Sequence, residues 1–273
     1  MKNWIKDPLR IFQNSTSENI SYPSEGNKTC FSIEDNSQWF DQRNELILAF
    51  INKHGVEGDF LDIGGGNGYQ AKAIIESGFK GKVILCEPGY QGCVNARNRG
   101  VEWVFNGMFQ DIQFDEFDIK GCGLFDVIEH IEDDLKFLNQ LYDKLEPGSK
   151  VFINVPAMKI LWSETDEFAG HFRRYDLHDI NRIESNTSFK VIDYGYYFSF
   201  YFLPLWLLRV IPYKLGLRNG NEAVLISEIR NLQSKKGFLD NLMKFLHKKA
   251  LNKVKTNNYS TFGTSLFIVL KKQ

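Results

Sequence analysis

A glycine-rich turn directly after a short apolar run constrains the fold of this chain more than any other feature. Residues 59–63 (DFLDI) have the length and apolar character of a buried strand, and a helical pattern begins at about Tyr69. Between them stand Gly64, Gly66 and Gly68, in the pattern D-x-G-x-G-x-G. Glycines suit such a turn because the chain bends tightly and a ligand can approach a backbone that carries no Cβ. The segment therefore predicts a strand, a ligand-binding loop and a helix.

The rest of the chain repeats this alternation of strands and helices. Segments with helical spacing, notably 67–78 and 133–145, separate apolar runs of strand length, and another helix is predicted from Trp39 to His54. Strands connected by such helices favour a parallel sheet. We therefore predict a Rossmann-like, doubly wound α/β domain with strands at 59–63, 82–86, 102–105, 117–125, 150–155, 189–194 and 264–270.

An acidic residue stands where such a fold would use one. The second predicted strand is followed by Glu87, 19 residues after Gly68, which is the separation at which an acid binds ribose hydroxyls. A nicotinamide-type fingerprint would need a third glycine at position 69, where the chain has Tyr69. A nucleotide-binding oxidoreductase of the Rossmann type is therefore an alternative that the loop disfavours.

Composition and charge narrow the range of partners and locations. Hydrophobic residues make up 43% of the 273 residues, enough for a sizeable core. The 33 lysines and arginines nearly balance 34 aspartates and glutamates, so the overall charge disfavours nucleic acid as a partner. The first twenty residues scatter charges where a secretory signal needs an unbroken apolar segment, so a cytoplasmic location is expected.

Five motifs extend the pattern beyond the glycine loop. They are DIGGGNG (62–68), CEP (86–88), GLFDVIEHIEDD (123–134), LEPGSKVFINVPA (145–157) and WSETDEFAGHFRRY (162–175). Together they resemble the class I S-adenosylmethionine-dependent methyltransferases, and more narrowly the ubiquinone-biosynthesis-like branch (methyltransferase type 11/12/23). The resemblance implies a seven-stranded sheet with helices on both faces and an antiparallel last strand. It also implies S-adenosylmethionine as the methyl donor and S-adenosylhomocysteine as the product.

The resemblance assigns donor contacts to particular residues. Glu87 is expected at the ribose, and Met108 stands where many relatives carry an aspartate for the adenine amino group. The methionine part of the donor is expected at Asp62 and the glycine backbone. The full set of expected donor-binding residues is Asp62, Gly64, Gly65, Gly66, Gly68, Glu87, Pro88, Met108 and Phe125.

Two histidines are candidates for the catalytic base. Methyl transfer to a hydroxyl needs alignment and removal of a proton, and a histidine suits that task near neutral pH. His130 follows the fourth predicted strand and His171 follows the fifth, at the end of the sheet where ligands bind. We expect a small-molecule or lipid-linked sugar acceptor, methylated at oxygen. A protein that binds the donor without catalysis is an alternative.

The segment around His171 also carries the expected acceptor contacts. Arg173 and Arg174 could bind a carboxylate or phosphate of the acceptor, because a guanidinium matches both groups, or they could form a structural ion-pair corner. The predicted acceptor-binding residues are Trp162, Arg173, Arg174 and Tyr175.

A metal site is an alternative for the same region. Asp126, Glu129 and His130 are spaced i, i+3 and i+4, which places three ligand groups on one side of a helical turn. The element resembles the E-x-x-E-H motif of some metal-assisted O-methyltransferases, and His171 could complete a site for Mg²⁺ or a similar ion. Acidic residues are equally common at a helix N-terminus without a metal.

The two ends of the domain have their own predictions. Residues 1–37 are polar and predict an N-terminal arm, ahead of one domain over 38–273 that includes a helical insertion at about 198–263. Within 196–213 an uncharged aromatic run is too short to span a bilayer. In 235–255 seven lysines and an apolar stripe predict an amphipathic helix. These segments either pack on the core or contact an anionic membrane peripherally, at its cytoplasmic face.

Overall fold

A single mixed sheet forms the centre of the computed structural model, which describes residues 4–14, 31, 34–35, 37–113, 116–217 and 238–273. The order across the sheet is β1-β2-β5-β4-β3-β6-β7-β9-β8 within these residues. The strands are β1 (Trp4–Lys6), β2 (Phe12–Asn14), β3 (Asp59–Ile63), β4 (Val83–Glu87), β5 (Trp103–Asn106), β6 (Ile119–Phe125), β7 (Lys150–Pro156), β8 (Phe189–Tyr197) and β9 (Ser265–Lys272).

Helices connect the strands. They are α1 (Gln38–His54), α2 (Tyr69–Glu76), α3 (Tyr90–Asn98), α4 (Asp134–Lys144), α5 (Glu164–Ala169), α6 (Leu177–Asn186), α7 (Ser199–Leu205), α8 (Ile211–Lys214) and α9 (Phe238–Lys255). Strands β3 to β7 pair in parallel, whereas β9 pairs antiparallel with both β7 and β8. The α/β class, the predicted strands and the antiparallel last strand are thus confirmed. The expected count of seven strands is too low for the described residues, because β1 and β2 of the N-terminal arm also join the sheet.

The sheet buries apolar side chains on both of its faces. Successive side chains of a strand point to opposite faces, and in β3 Phe60 and Leu61 accordingly belong to different core clusters. Helices α4 and α6 cover the face of Leu61, and α1, α2 and α3 cover the face of Phe60. Burial on both faces explains why these strands are continuous apolar runs.

The N-terminal arm contributes more structure than its polar sequence predicts. β1 and β2 form an antiparallel pair, and β2 adds to the edge of the sheet in parallel with β5. Phe12 stacks on Phe105 with ring centroids 4.7 Å apart, and Ile11 is fully buried. Two apolar residues are therefore enough to anchor this part of the arm. So short an apolar pattern among polar neighbours does not predict a strand.

The insertion between β8 and β9 is helical at both of its described ends. α7, a π-type turn (Trp206–Val210) and α8 follow β8, and α9 precedes β9. α9 packs on α1, where His247 Nε2 lies 2.7 Å from Glu45 Oε2. The part of the predicted basic helix at 235–237 lies outside the described residues. Among those that are described, no helix is both long and apolar enough to cross a membrane.

Candidate active site

The sheet changes direction between β3 and β6. From β3 the chain continues to β4 and β5 on one side, and then to β6 and β7 on the other. Open α/β sheets bind ligands at such a switch point, outside the carboxyl ends of the strands. The glycine loop follows β3 there, Glu87 ends β4, and the segments with His130 and His171 follow β6 and β7. The topology therefore brings the predicted donor and acceptor segments to one edge of the sheet.

The glycine loop leaves open space beside its backbone at Gly66, which we call the crevice. Gly66 has a φ of 51°, a left-handed conformation that favours glycine. A Cβ built on Gly66 meets no atom within 4 Å, so a side chain there would extend into open space. At Gly65, by contrast, a Cβ would lie 2.7 Å from Oδ2 of Asp62. The missing side chains therefore keep room for a ligand and let Asp62 approach the loop.

Glu87 is held beside this crevice by two backbone amides. Its Oε2 accepts a hydrogen bond from the N–H of Gly66 at 3.1 Å, and its Oε1 accepts one from the N–H of Gly89 at 2.7 Å. Burial raises the pKa of Glu87 to about 7, against the lowering effect of the two amides. A ribose diol could donate to the same two oxygens, because each carboxylate oxygen has more than one acceptor position.

Asp62 brings a second buried carboxylate to the crevice. Its Oδ2 accepts no hydrogen bond from the described residues. Burial raises its pKa to about 7, nearby Arg43 lowers it, and Glu87 raises it further. An unsatisfied buried acceptor is costly unless a ligand supplies a donor or a positive charge. Two carboxylates at this position favour a cationic ligand and oppose the pyrophosphate of a dinucleotide.

A buried arginine lies behind the site. The helical pattern places this residue on the polar side of α1. Arg43 is only 2% exposed, and its Nη2 forms an ion pair with Asp126 Oδ2 at 2.5 Å. Asp126 has a positive φ of 58° and also accepts a hydrogen bond from Asn154 Nδ2 at 2.8 Å. Tyr197 donates its O–H to Oδ1 of Asn154. This network joins α1, the turn after β6, β7 and β8. No local pattern in the sequence predicts that Arg43 belongs to it.

Both candidate histidines lie in one cluster with a buried carboxylate. Ligand atoms of Glu129, His130 and His171 all lie within 4.8 Å of one another. The rings of His130 and His171 meet edge to face, with centroids 4.7 Å apart. Burial and the adjacent His171 lower the pKa of His130 to about 4, so this ring is neutral at physiological pH. Neither oxygen of Glu129 accepts a hydrogen bond from the described residues.

His171 is oriented by an aspartate that the sequence did not single out. Nδ1 of His171 lies 2.9 Å from Asp166 Oδ1. Although burial raises the pKa of Asp166, the hydrogen bond from His171 and the ion pair with Arg174 bring it below its ordinary value. An ionised Asp166 keeps the proton on Nδ1 and leaves the lone pair on Nε2. The D-x₄-H spacing within 162–175 is the signal that could have identified this pair.

The predicted acceptor contacts need correction. Arg174 is buried, and its guanidinium donates to both oxygens of Asp166 and to the carbonyl of Ala157, so it is not free to bind an acceptor. Tyr175 is fully buried and donates to Asp134. For Arg174 the structure thus agrees with the alternative, an ion-pair corner, whereas Tyr175 is a buried hydrogen-bond donor.

Two other predicted acceptor residues stay near the surface. Arg173 is partly exposed, although it pairs with Asp134 Oδ1 at 3.0 Å and donates to the carbonyl of Glu132 at 2.5 Å. Trp162 is half-buried at the turn before α5. An acceptor role for Arg173 and Trp162 stays a prediction.

The predicted adenine end of the crevice is only partly as expected. Met108 follows β5 and is 45% exposed, so it is accessible to a ligand. The backbone carbonyl of Pro88 accepts a hydrogen bond from Asn106 Nδ2 at 2.8 Å, which fixes the chain after β4. The side chain of Phe125 instead packs into the core against Phe60, with ring centroids 6.4 Å apart. Alternation along β6 directs this ring inward, and a donor contact by Phe125 stays a prediction.

The predicted four-residue metal set also needs correction. Asp126 lies outside the three-residue cluster and forms its ion pair with Arg43 instead. The buried guanidinium of Arg43 balances the charge of the Asp126 carboxylate directly, without a metal ion shared with other ligands. The set that the fold brings together is Glu129, His130 and His171.

One residue of the arm, Glu34, contacts the glycine loop directly and also holds Arg99, which follows α3. Glu34 accepts a hydrogen bond from Asn67 Nδ2 at 3.3 Å and forms an ion pair with Arg99 at 2.5 Å. Arg99 also donates to the carbonyl of Asn67 at 3.1 Å. No sequence pattern predicts these contacts, because Glu34, Asn67 and Arg99 are far apart in the chain. The contacts nevertheless support the glycine loop from its outer side.

Comparison with known proteins agrees with this geometry. A family model described as a methyltransferase domain (type 23) matches residues 35–194. The chain is similar to a probable S-adenosylmethionine-dependent methyltransferase of Mycolicibacterium smegmatis, with 22% identity over 174 residues, 63% of this chain and 66% of that protein. The chain thus spans slightly less than two thirds of this relative.

Solved structures share the fold. Phosphoethanolamine N-methyltransferase 2 of Haemonchus contortus, in complex with S-adenosylmethionine, has a TM-score of 0.55 at 20% identity, covering 93% of this chain and 58% of that one. A S-adenosylmethionine-dependent methyltransferase of Thermotoga maritima has a TM-score of 0.52 at 15% identity, covering 91% of this chain and 96% of that one. At these identities the likeness concerns the fold alone.

Proposed function

Because the chain belongs to the methyltransferase-domain family whose model spans residues 35–194, we propose that it transfers the methyl group of S-adenosylmethionine to the oxygen of a small-molecule or lipid-linked acceptor. Glu87 carries the proposal for the donor. Its buried carboxylate lies beside the open backbone of Gly66 and can accept both ribose hydroxyls. Asp62, with its unsatisfied oxygen, faces the positively charged methionine part of the donor. Family membership also removes the main support for an oxidoreductase.

His171 is the proposed general base. S-adenosylmethionine supplies a methyl group that its sulfonium sulfur makes electrophilic. Nε2 of His171 accepts the proton of the acceptor hydroxyl while the oxygen forms its bond to the methyl carbon. The carbon–sulfur bond breaks, and its electron pair stays on sulfur. Asp166 holds the ring and stabilises the imidazolium that forms, and neutral His130 lies beside it without adding a like charge.

The test combines an acceptor panel with one substitution. Labelled S-adenosylmethionine is offered with phenols, hydroxylated isoprenoid lipids and phosphoethanolamine, the last because a structural neighbour is named for it. On an acceptor that the wild type methylates, His171→Gln should lower kcat by about 10²- to 10⁴-fold. The affinity for S-adenosylhomocysteine should not change.

The exposed His178, on α6, provides the matched control. His178→Gln should keep the wild-type kcat. Undiminished turnover by His171→Gln would reject the base, and methylation of phosphoethanolamine alone would reject transfer to oxygen.

Metal-assisted O-methylation is the second candidate, and the cluster of Glu129, His130 and His171 favours it. One carboxylate and two imidazoles suit Zn²⁺ or a similar transition ion. Mg²⁺ prefers an all-oxygen set, so these residues do not favour it. Calorimetric titration with Mg²⁺, Mn²⁺ and Zn²⁺, together with the turnover assay in chelator, separates the candidates. No binding and unchanged turnover would eliminate the metal.

A further inference from the structure

The outward side of the segment after β8 is made of leucines. α7, the π-type turn and α8 run continuously from Ser199 to Lys214, with Pro204 inside α7. A helix on a protein surface normally turns charged residues to water. Here the exposed side chains other than Lys214 are apolar: Leu203 is 59% exposed, Leu207 46% and Leu208 69%, and just after α8 Leu215 is 66% and Leu217 74% exposed. We call this set the leucine face.

An aromatic contact joins the leucine-bearing segment to the chain before β9. Phe202 of α7 meets Phe262 edge to face, with ring centroids 5.6 Å apart. Phe262 is itself 44% exposed. On α9, Phe245 is 54% exposed and lies under the ammonium of Lys249 at 4.6 Å. Exposed apolar side chains therefore occur on α9 and on the chain before β9 as well as on the leucine face.

Positive charge accompanies these apolar side chains. The described parts of the insertion, 199–217 and 238–264, contain one acidic residue and seven basic ones, although the whole chain has a net charge of −1. The acidic residue is Asp240. The basic ones are Arg209, Lys214, Lys244, Lys248, Lys249, Lys253 and Lys255. The five lysines of α9 are all exposed.

The segment also reaches the acceptor side of the active site. β8 runs parallel to β7, since both are antiparallel to β9, so α7 leaves the sheet at the same carboxyl edge as His171. Tyr213 of α8 donates its O–H to Glu167 of α5, the neighbour in sequence of Asp166. The segment that carries the leucine face is therefore bonded to the short helix that holds Asp166, the partner of the proposed base.

We propose that the leucine face docks on an anionic lipid bilayer, with the lysines of α9 at the headgroups, so that the enzyme draws an amphiphilic acceptor from the membrane. This inference rests on the proposed methyl transfer for its choice of acceptor. Apolar residues beside a lysine-rich surface are the composition of an interfacial helix, which inserts its apolar side and attracts anionic lipid. A second copy of the chain fits less well, because two such surfaces would bring like charges together.

Sedimentation with vesicles tests the docking. The full chain is mixed at low ionic strength with vesicles of phosphatidylcholine alone or with phosphatidylglycerol added. Wild type should sediment with the anionic vesicles, less so at high salt, and should stay in the supernatant with phosphatidylcholine alone.

Two pairs of matched variants separate the apolar and the charged contributions. Leu207→Ser with Leu208→Ser should weaken binding about tenfold or more, whereas Ile75→Ser with Leu177→Ser, also exposed apolar residues, should not. Lys248→Glu with Lys249→Glu should abolish the preference for anionic vesicles, whereas Lys80→Glu with Lys136→Glu should keep it.

The outcomes are distinguishable from failure of the proposed function. Binding of S-adenosylhomocysteine, measured on every variant, reports the donor site and the fold independently of lipid. Wild type that binds S-adenosylhomocysteine but stays in the supernatant with anionic vesicles overturns the docking alone. Equal binding of anionic vesicles by the leucine variant and its control also overturns the docking. So does a dimer, detected by light scattering, that the leucine variant no longer forms, if no variant binds vesicles.

Discussion

Asp62 and Glu87 lie at the carboxyl ends of neighbouring strands, and burial raises the pKa of each to about 7. Near neutral pH both carboxyl groups are therefore partly protonated in the ligand-free protein. A donor that brings an ammonium group and two hydroxyls favours the ionised forms. Binding should therefore release protons, and the affinity should depend on pH.

We predict that the affinity for S-adenosylhomocysteine rises as the pH increases through about 7 and levels off above it, because the carboxylates must ionise to accept the ligand's hydrogen bonds. Glu87→Gln should weaken binding by about 10- to 100-fold at alkaline pH and reduce the pH dependence. Isothermal titration calorimetry over a pH series measures both effects. Glu102→Gln, on the surface, is the control, and wild-type affinity in Glu87→Gln would refute the ribose assignment.

Some residues of the site can be predicted from the sequence, and others cannot. Glu87 and the glycines are recognisable because their spacing is local and repeated in folds of this kind. Arg43 is not, because its partner Asp126 lies on another element and only packing buries the pair. Arg174 and Tyr175 show the reverse case, since a polar motif that suits ligand binding is committed to internal partners.

At the scale of elements, a second polar cluster connects the C-terminal end of α1 to β8, the last strand in the order of the sheet. Asp193 of β8 accepts hydrogen bonds from His54 Nε2 at 2.8 Å and from Tyr259 O–H at 2.8 Å, and Lys53 forms an ion pair with it. Although burial raises the pKa of Asp193, these partners lower it to about 2. The cluster links α1, β8 and the chain before β9.

We predict that Asp193→Asn lowers the free energy of unfolding by about 1–2 kcal/mol at neutral pH, after allowance for solvent screening. The pKa of Asp193 is lower in the folded protein than its ordinary 3.8. Its contribution is therefore complete above about pH 4 and is lost as the pH falls towards about 2. The difference between variant and wild type should narrow accordingly.

Urea unfolding from neutral to acid pH measures this difference, with Asp143→Asn as the control, because Asp143 is an exposed residue of α4. A difference that stays constant down to acid pH would mean that the ionised carboxylate of Asp193 is not what stabilises the three elements.

At the scale of the whole molecule, the order of strands selects the class of ligand site. The switch between β3 and β6 collects four strand ends, and the side chains there are carboxylates and imidazoles. Tyr69 begins α2 where a dinucleotide would place its pyrophosphate, and its O–H donates to Asp41 at 2.6 Å. Many nucleotide-binding proteins share this architecture. The carboxylates and imidazoles at the strand ends, together with Tyr69, disfavour a dinucleotide as the ligand.

We predict that S-adenosylhomocysteine stabilises the folded chain and that NAD and NADP do not. A ligand at about a hundred times its Kd adds about 2.7 kcal/mol, which should raise Tm by roughly 5–10 °C. Differential scanning fluorimetry with the three ligands measures the shifts. A comparable shift with NAD, or none with S-adenosylhomocysteine, would contradict the proposed donor.

The sequence by itself determined the α/β class, the bounds of most strands to within a few residues and the candidate donor loop. Alternation of element types, glycine spacing and the position of Glu87 are local patterns, and local patterns are readable along a chain. Only the tertiary structure decided that Arg43 is buried with Asp126, that Asp166 orients His171, and that Arg174 and Tyr175 are internal. It also decided which leucines after β8 face outward. Each of these depends on which surfaces meet when distant segments pack, and no local pattern encodes that.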